Sequence, residues 1–511
     1  MVGKAVIVIL LLSISISVVS LPETERNSIQ LQRSEKFPVT TFNYTGNISC
    51  YCAPDNSYDA FNQLLNSVEE SMYISVYEFQ NIHLARSISN LSKDSVDIKL
   101  LVDSDPVGGI SLQEKYCLNI MNKSGVEVKG TDPDKFDLAY LHSKYIIADN
   151  EYVLISSENF GYTGYPIEES NGNRGWGVIL EDKNTADYYK TLFNHDWNRS
   201  KNMGLSTKSF SYESIMGGYS SEYELQTFHG SVEVKPVICP EHSHSNKSIL
   251  NMINDAEDQI CVQQFYIDDW KNNPYVKAII NASERGCEVK ILLDSTWYNV
   301  QKDEKDNDDF VEYIENYSKN NYVDIEARLV NVYHGFSKTH NKGMIVDEEK
   351  VLISSINWNL HSIESNREVG VIIENKETAE YFKEIFIHDW DNDLIKPIPE
   401  AGQDRIVQNG QDVIFNGSKS WDDCKIVTYL WDLNGDGVFE EKGKVITHRF
   451  SNKGEYKIKL KVIDKEGHES VDESIIKVEE KNNKSSKLYY ILIPIPIIVI
   501  ISIIYWKKFR D

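Results

Sequence analysis

Two stretches of this 511-residue chain carry nearly the same text, and that duplication restricts the possible folds more than any other feature. LHSKYIIADNEYVLISSENF (141–160) returns as THNKGMIVDEEKVLISSINW (339–358), offset by 198 residues. NRGWGVILEDKNTADYYKTLFNHDW (173–197) returns as NREVGVIIENKETAEYFKEIFIHDW (366–390), offset by 193. Upstream, SMYISVYEF and VDIKLLVDSD pair with DQICVQQFY and CEVKILLDST. The segments keep their order, so a whole domain is repeated rather than a motif. In each copy apolar strand-length runs alternate with helix-length runs such as Tyr275 to Arg285, and strands end at Asp103 and Asp294. That alternation predicts an α/β layered domain around a mostly buried sheet, and two copies would pack with pseudo-two-fold symmetry.

Each long repeat contains a predicted hairpin: Tyr145 to Ala148 and Tyr152 to Ile155 around Asp149-Asn150-Glu151, and Gly343 to Val346 and Val351 to Ile353 around Asp347 to Lys350. Residues two apart on a strand share a face, so His142 projects with Lys144 and His340 with Lys342. The returning strands add Ser157 and Asn159, or Ser355 and Asn357. A lone His-x-Lys is an ordinary surface pair; its repetition with Asp, Ser and Asn at the same spacing is not. Two lysines and two asparagines would hold the non-bridging oxygens of a phosphodiester, while paired histidines supply a nucleophile and a general acid.

These residues resemble the phospholipase D superfamily, whose signature is two copies of HxK(x)4D(x)6GSxN. The copies here are His142-Ser143-Lys144, Asp149 and Ser156-Ser157-Glu158-Asn159, then His340-Asn341-Lys342, Asp347 and Ser354-Ser355-Ile356-Asn357. The resemblance covers about residues 50 to 397, with Ser in place of the usual Gly at 156 and 354. It implies metal-independent, cofactor-free cleavage in two steps, with His142 attacking phosphorus to give a phosphohistidine and His340 protonating the leaving oxygen. It also implies that Lys144, Lys342, Asn159 and Asn357 bind phosphate. Asp149 and Asp347 lie in the turn and are expected to be structural. In the family an acidic residue after each motif often fixes a catalytic His. Glu368, in Asn366-Arg367-Glu368, fits that role, but the first copy has Gly175 in Asn173-Arg174-Gly175, so one histidine lacks an obvious carboxylate. Which one is open, because such pairing can cross between copies; support for His142 would suit a nucleophile that becomes cationic.

Other constellations carry less chemistry. His195-Asp196-Trp197 and His388-Asp389-Trp390 end predicted amphipathic helices and are expected to pack and cap. Cys239, His242 and His244 lack a fourth zinc ligand at a usual spacing. The run KDEKDNDD (302–309) reads as a solvated loop that would repel long polyanions.

After Pro397 the text changes to short alternating strands with Gly-rich turns, which predicts a β-sandwich. YLWDLNGDG (429–437) with His448-Arg449-Phe450 and Gly454-Glu455-Tyr456 resembles a PKD domain, an immunoglobulin-like module. Asp432, Asn434 and Asp436 mimic the start of a calcium loop, but Gly443 stands at the twelfth position, so a loop-stabilising role is expected. The expected divisions are a signal peptide at 1–20, a linker at 21–49, repeats at 50–200 and 239–397 joined by a Ser/Gly/Tyr-rich connector at 201–238, and a PKD-like domain at 398–480. A linker at 481–487, a transmembrane helix at 488–506 and a cytoplasmic tail at 507–511 follow.

Lys507, Lys508 and Arg510 after the last apolar run put the body of the chain outside the cell, and ten Asn-x-Ser/Thr sequons agree with export. Seven cysteines are an odd number from which no disulfide connectivity follows. A net charge of -25 argues against a protein whose main work is non-specific binding to polyphosphate, while leaving room for a local basic site. The leading expectation is a surface-tethered phosphodiesterase acting on phospholipid head groups, as hydrolase or transphosphatidylase. A nuclease or nucleotide phosphodiesterase of the same superfamily and a non-catalytic surface binding protein are the alternatives. Oligomerisation is not required, because duplication already supplies both half-sites.

Overall fold

Both expected hairpins form, and their turns explain the two aspartates of the repeated motif. Asp149 and Asn150 take positive φ values of 50° and 54°, as do Asp347 and Glu348 at 53° and 55°. The Asp149 carboxylate accepts the backbone N–H groups of Glu69, Glu70 and Ser71 at 2.7–2.8 Å. Asp347 accepts those of Glu257, Asp258 and Gln259 at 2.9–3.0 Å. Each aspartate ties its hairpin to the start of the neighbouring strand, which is structural work.

The computed structural model describes residues 36–480 apart from 168–170, 206–218, 220, 301–305, 331–336, 392–395, 423–425 and 465–466. The expected signal peptide (1–20) and transmembrane helix (488–506), with the linker and tail beside the latter, lie outside the described residues. Among the described residues no helix is long and apolar enough to cross a membrane. The chain divides into two units, Met1–Ile395 and Lys396–Asp511.

In chain order the strands of the first unit are β1 (Phe42–Ala53), β2 (Ser71–Val76), β3 (Asp97–Val102), β4 (Glu127–Thr131), β5 (Lys144–Ala148), β6 (Tyr152–Ser156), β7 (Asn173–Glu181), β8 (Ser200–Asn202), β9 (Gln226–Cys239), β10 (Gln259–Gln264), β11 (Glu288–Leu293), β12 (Ile325–Leu329), β13 (Lys338–Thr339), β14 (Lys342–Val346), β15 (Lys350–Ser354) and β16 (Glu368–Glu374). They join in the order β12-β11-β10-β14-β15-β16-β9-β1-β7-β6-β5-β2-β3-β4-β8, with β13 beside β7. Within each copy three strands run parallel, β2-β3-β4 and β10-β11-β12. The hairpin and the strand after it are antiparallel, so each copy is the mixed α/β layer expected from the text. Helices Ile82–Leu91 and Pro274–Arg285 make the first parallel crossovers, each begun by an asparagine, Asn81 or Asn273, that caps two backbone N–H groups.

Two expected boundaries are corrected. Residues 42–49 fall in the linker expected at 21–49, and residues 226–238 in the connector expected at 201–238, yet they form most of β1 and β9. β1 pairs with β7, β9 with β16, and the two with each other. Without them β7 and β16 would each present an open sheet edge. Val232 and Val234 alternate inward in β9, a signal masked by the polar residues around it.

The copies share a core. Helices Lys183–Trp197 and Lys376–Asp391 send Leu192, Phe193, Phe382 and Phe386 into one apolar cluster with Trp176. A Cβ at Gly343 would lie 2.4 Å from the Trp176 ring, so this close approach of β14 to β7 requires glycine. Two buried guanidinium groups lock the arrangement. Arg174 pairs with Asp389 (3.0 Å) and Asp55 (2.6 Å), and Arg367 with Asp196 (2.9 Å) and Glu241 (2.6 Å). Removing one partner of such a pair strands a buried charge, at a cost of about 3–5 kcal/mol. The repeated His-Asp-Trp triplets are therefore packing elements, as expected. His242 is likewise a core residue, its ring nitrogens bonded to the Phe37 carbonyl and the Ile238 N–H. The acidic run expected as a loop is in part helical: Asp306 caps the helix Asn307–Asn321, while 302–305 lie outside the described residues. Six described cysteines are buried free thiols.

The second unit is β-rich, with strands β17 (Arg405–Gln408), β18 (Asp412–Asn416), β19 (Ile426–Asp432), β20 (Glu441–Lys442), β21 (Val445–Arg449), β22 (Gly454–Asp464) and β23 (Glu469–Glu479). They form a five-stranded sheet, β17-β23-β22-β19-β20, and a two-stranded one, β18-β21, around a core that includes Phe415, Trp431, Phe450 and Leu460. Asp432 accepts the backbone N–H groups of Gly435 (2.7 Å) and Gly437 (2.9 Å), stabilising its loop, and ligand atoms of Asp432, Asp436 and Glu440 lie within 4.8 Å of one another.

Candidate active site

His142 and His340 stand two residues before the first residues of β5 and β14, and each is hung from the opposite copy. His142 N donates to the Arg367 carbonyl (2.9 Å) and His340 N to the Arg174 carbonyl (2.8 Å). The residue before each histidine is held by the strand-end aspartate of its own copy. Leu141 N donates to Asp103 (2.6 Å) and Thr339 N to Asp294 (3.0 Å).

Crossing of the strands decides which carboxylate meets which ring. His142 Nδ1 lies 2.8 Å from Glu368 of the second copy, and Glu368 is further held by the Ser355 hydroxyl (2.5 Å) and the Asn366 amide (3.1 Å). His340 is not left without a carboxylate, contrary to expectation. Its Nδ1 lies 3.1 Å from Glu158 of the first copy, which also accepts from the Asn173 amide (2.9 Å). Glu158 stands at the variable position of Ser-Ser-Glu-Asn, where the motif specifies no residue. The two copies have exchanged positions: Glu158 matches Ile356, and Gly175 matches Glu368. A Cβ at Gly175 would lie 2.4 Å from Glu158 Oε1, so glycine makes the room that Glu158 fills. In both rings the carboxylate holds the proton on Nδ1 and leaves Nε2 free to react.

Lys144 and Lys342 are buried beside them, each donating to the carbonyl of its own histidine, Lys144 at 2.7 Å. Asn159 donates to Glu78 (3.2 Å), and among the described residues neither Asn159 Oδ1 nor Asn357 Oδ1 has a partner. Ser157 and Ser355 accept the backbone N–H groups of Trp176 on β7 and Val369 on β16, both at 3.0 Å, bracing the segments that follow β6 and β15 against the next strand. Contacts link His142, Lys144, Ser355 and Glu368 on one side and His340, Lys342 and Glu158 on the other, while the two turn aspartates bond elsewhere.

Burial dominates the electrostatics. It lowers the pKa of His142 to about 4, against the opposing charge of Glu368. It lowers Lys144 to about 8, and holds His340 and Lys342 well below their usual ranges, the lysines adding to the effect on His340. Burial also raises Glu158. An incoming anion offsets the desolvation of both lysines and favours their charged forms.

The chain matches the family described as "Cardiolipin synthase, PLD-like domain" over residues 61–197 and 249–390, one His-x-Lys in each stretch and together more than half its length. It belongs to that family. Residues 395–478 match a PKD domain. Phospholipase D of Rickettsia prowazekii is 28% identical over 181 residues, 35% of this chain and 76% of that protein. The phospholipase D of Rickettsia conorii is 30% identical over 136 residues, 27% of this chain and 59% of the relative. Cardiolipin synthase of Staphylococcus aureus strain N315 is 21% identical over 356 residues, 67% of each chain. The solved structure of phosphatidylserine synthase from Haemophilus influenzae shares the fold, with a TM-score of 0.50 and 13% identity over 70% of this chain and 90% of that one. This PLD-like pair is a phosphodiesterase of the phospholipase D superfamily.

Its protonation states set a pH window. An imidazole that attacks phosphorus must be neutral, which for His142 fails below its pKa of about 4. A lysine that holds phosphate must be charged, which for Lys144 fails as pH rises through about 8. The kcat/KM profile of a soluble diester is therefore expected to fall on the acid side near pH 4 and on the alkaline side at or below about pH 8. A profile still level at pH 10 would contradict these assignments.

Proposed function

We propose that this chain hydrolyses or transfers phospholipid head groups by two displacements at one phosphorus, the copies sharing the work about a pseudo-two-fold axis. His142 Nε2 attacks phosphorus, the bond to the head-group oxygen breaks, and His340 delivers its proton to that oxygen. His340 then takes a proton from water or an acceptor alcohol, whose oxygen attacks phosphorus and releases His142. Lys144, Lys342 and the two asparagine amides stabilise charge on the non-bridging oxygens. His340 is neutral in the empty site; the diester's charge, placed among the lysines, raises its proton affinity.

The observation that carries this reading is the reciprocal pair of contacts, His142 to Glu368 and His340 to Glu158, around two buried lysines. The apolar runs at 5–20 and 488–506, with the basic residues after the second, support an exported, membrane-tethered form. The test compares head-group release from mixed phospholipid vesicles with cleavage of single-stranded DNA, using the purified protein and His142→Asn. Lipid turnover that the substitution abolishes is expected. DNA cleavage without lipid turnover would move the function to nucleic acid, and activity surviving in His142→Asn would sink the mechanism.

A further inference from the structure

The two halves of the site part company where the chain leaves β2 and β10. Val76 pairs with Lys144 and Gln264 with Lys342, so Tyr77 corresponds to Phe265 and Glu78 to Tyr266. An aromatic ring packs on each histidine, Tyr77 at 4.8 Å from His142 and Phe265 at 4.9 Å from His340; on the His142 side Tyr77 also lies 6.1 Å from Tyr140, which is 5.9 Å from His361. On the His340 side a cavity of about 240 Å³ opens, lined by Glu78, Gln80, Gln113, Asn159 and Lys338. Among the described residues Tyr162 is the one aromatic side chain in its wall besides the imidazole.

The segment bearing Glu78 is firmly built. Gln80 N and Asn81 N donate to the Phe160 carbonyl at 2.9 and 3.0 Å, Gln113 Nε2 donates to the Gln80 carbonyl at 2.7 Å, and Phe79 N donates to the buried Glu114 at 2.9 Å. Glu78 is thereby presented at a fixed place beside the proposed general acid. Desolvation raises its pKa, while the charges of Lys144 and Lys338 act the other way. In the empty site it holds the amide of Asn159, a residue expected to bind phosphate.

Resting on the two-displacement reading above, we propose that this cavity receives the departing head-group alcohol and that Glu78 selects a head group bearing a primary ammonium, as ethanolamine does. The alcohol oxygen must lie within reach of His340 when its bond to phosphorus breaks, and this cavity is what adjoins His340. Its volume admits a small polar head group. Among the described residues the wall sets two carboxylates, Glu78 and Glu158, against the one ammonium of Lys338, and with the neighbouring amides it favours an ammonium with N–H donors; a quaternary ammonium would call for an aromatic cage, which this wall lacks. An ammonium that engages Glu78 also releases the Asn159 amide to turn to the phosphate, so head-group recognition and phosphate binding are coupled. Duplication produced two equivalent sides, and the departure at Glu78 and Tyr266 distinguishes the head group from the lipid.

The test uses the full chain on vesicles of equal parts phosphatidylethanolamine, phosphatidylglycerol and phosphatidylcholine, with released ethanolamine, glycerol and choline measured from the same sample. The unmodified protein is expected to release ethanolamine about ten-fold faster than either other alcohol. Glu78→Gln, which retains an acceptor for Asn159, brings the ethanolamine-to-glycerol ratio towards one, and Glu78→Lys inverts it. Release of all three alcohols with a ratio that neither variant moves would overturn the assignment of Glu78, as would a native preference for glycerol or choline. No release of any alcohol would remove the lipid reading and this inference with it.

Discussion

Glu158→Ile and Gly175→Glu are each expected to lower turnover of a soluble diester by about 10²-fold or more, and the two together to restore most of it. Loss of Glu158 leaves His340 without the carboxylate bonded to its Nδ1. Gly175→Glu alone forces a side chain into space already taken, where a Cβ meets Glu158 Oε1 at 2.4 Å and the Ser157 hydroxyl at 2.7 Å. The second copy shows that the combined text works, since it carries Ile356 buried in the core and Glu368 bonded to His142. The surroundings needed at 175 are present: Ser157 stands where Ser355 donates to Glu368, and Asn173 where Asn366 does. Such a reciprocal rescue is a coupling between sites in contact, and additive losses are the outcome it excludes. Initial rates for the four proteins, each checked for an unchanged melting transition, decide the matter. A double variant no better than the poorer single one would mean that Glu158 is not a relocated partner for His340.

Much of the site was legible because its determinants are local. A spacing of two on a strand puts His142 with Lys144 and His340 with Lys342, and no tertiary knowledge is needed to see it. Turn chemistry gave Asp149 and Asp347 their structural role in the same way. What could not be read was the partner of each ring, because that depends on the His142 and His340 segments bonding to Arg367 and Arg174 across the copies. Glu158 is hidden in the sequence for a different reason: it occupies a position at which the motif specifies nothing. The signal was nevertheless in the text, as two differences between the copies, Glu158 for Ile356 and Gly175 for Glu368, that only make sense together. The strands β1 and β9 were missed because polar, Ser- and Gly-bearing surroundings obscure them; their role is to cover the sheet edges at β7 and β16, which only the assembled fold exposes.

The central claim is that His142 forms the covalent intermediate and His340 moves the protons. His340→Asn tests it most directly, with bis(p-nitrophenyl) phosphate as substrate, because nitrophenolate departs without an acid. The first displacement then needs only His142, Glu368 and the phosphate-binding groups, whereas the second needs the base that has been removed. The variant is expected to give a burst of one nitrophenolate per protein followed by turnover slower by about 10²-fold or more. Mass spectrometry after quenching and digestion at neutral pH is expected to place nitrophenyl phosphate on the peptide containing His142, and His142→Asn should show neither burst nor adduct. An adduct on any other residue, or a burst that persists in His142→Asn, would contradict the account.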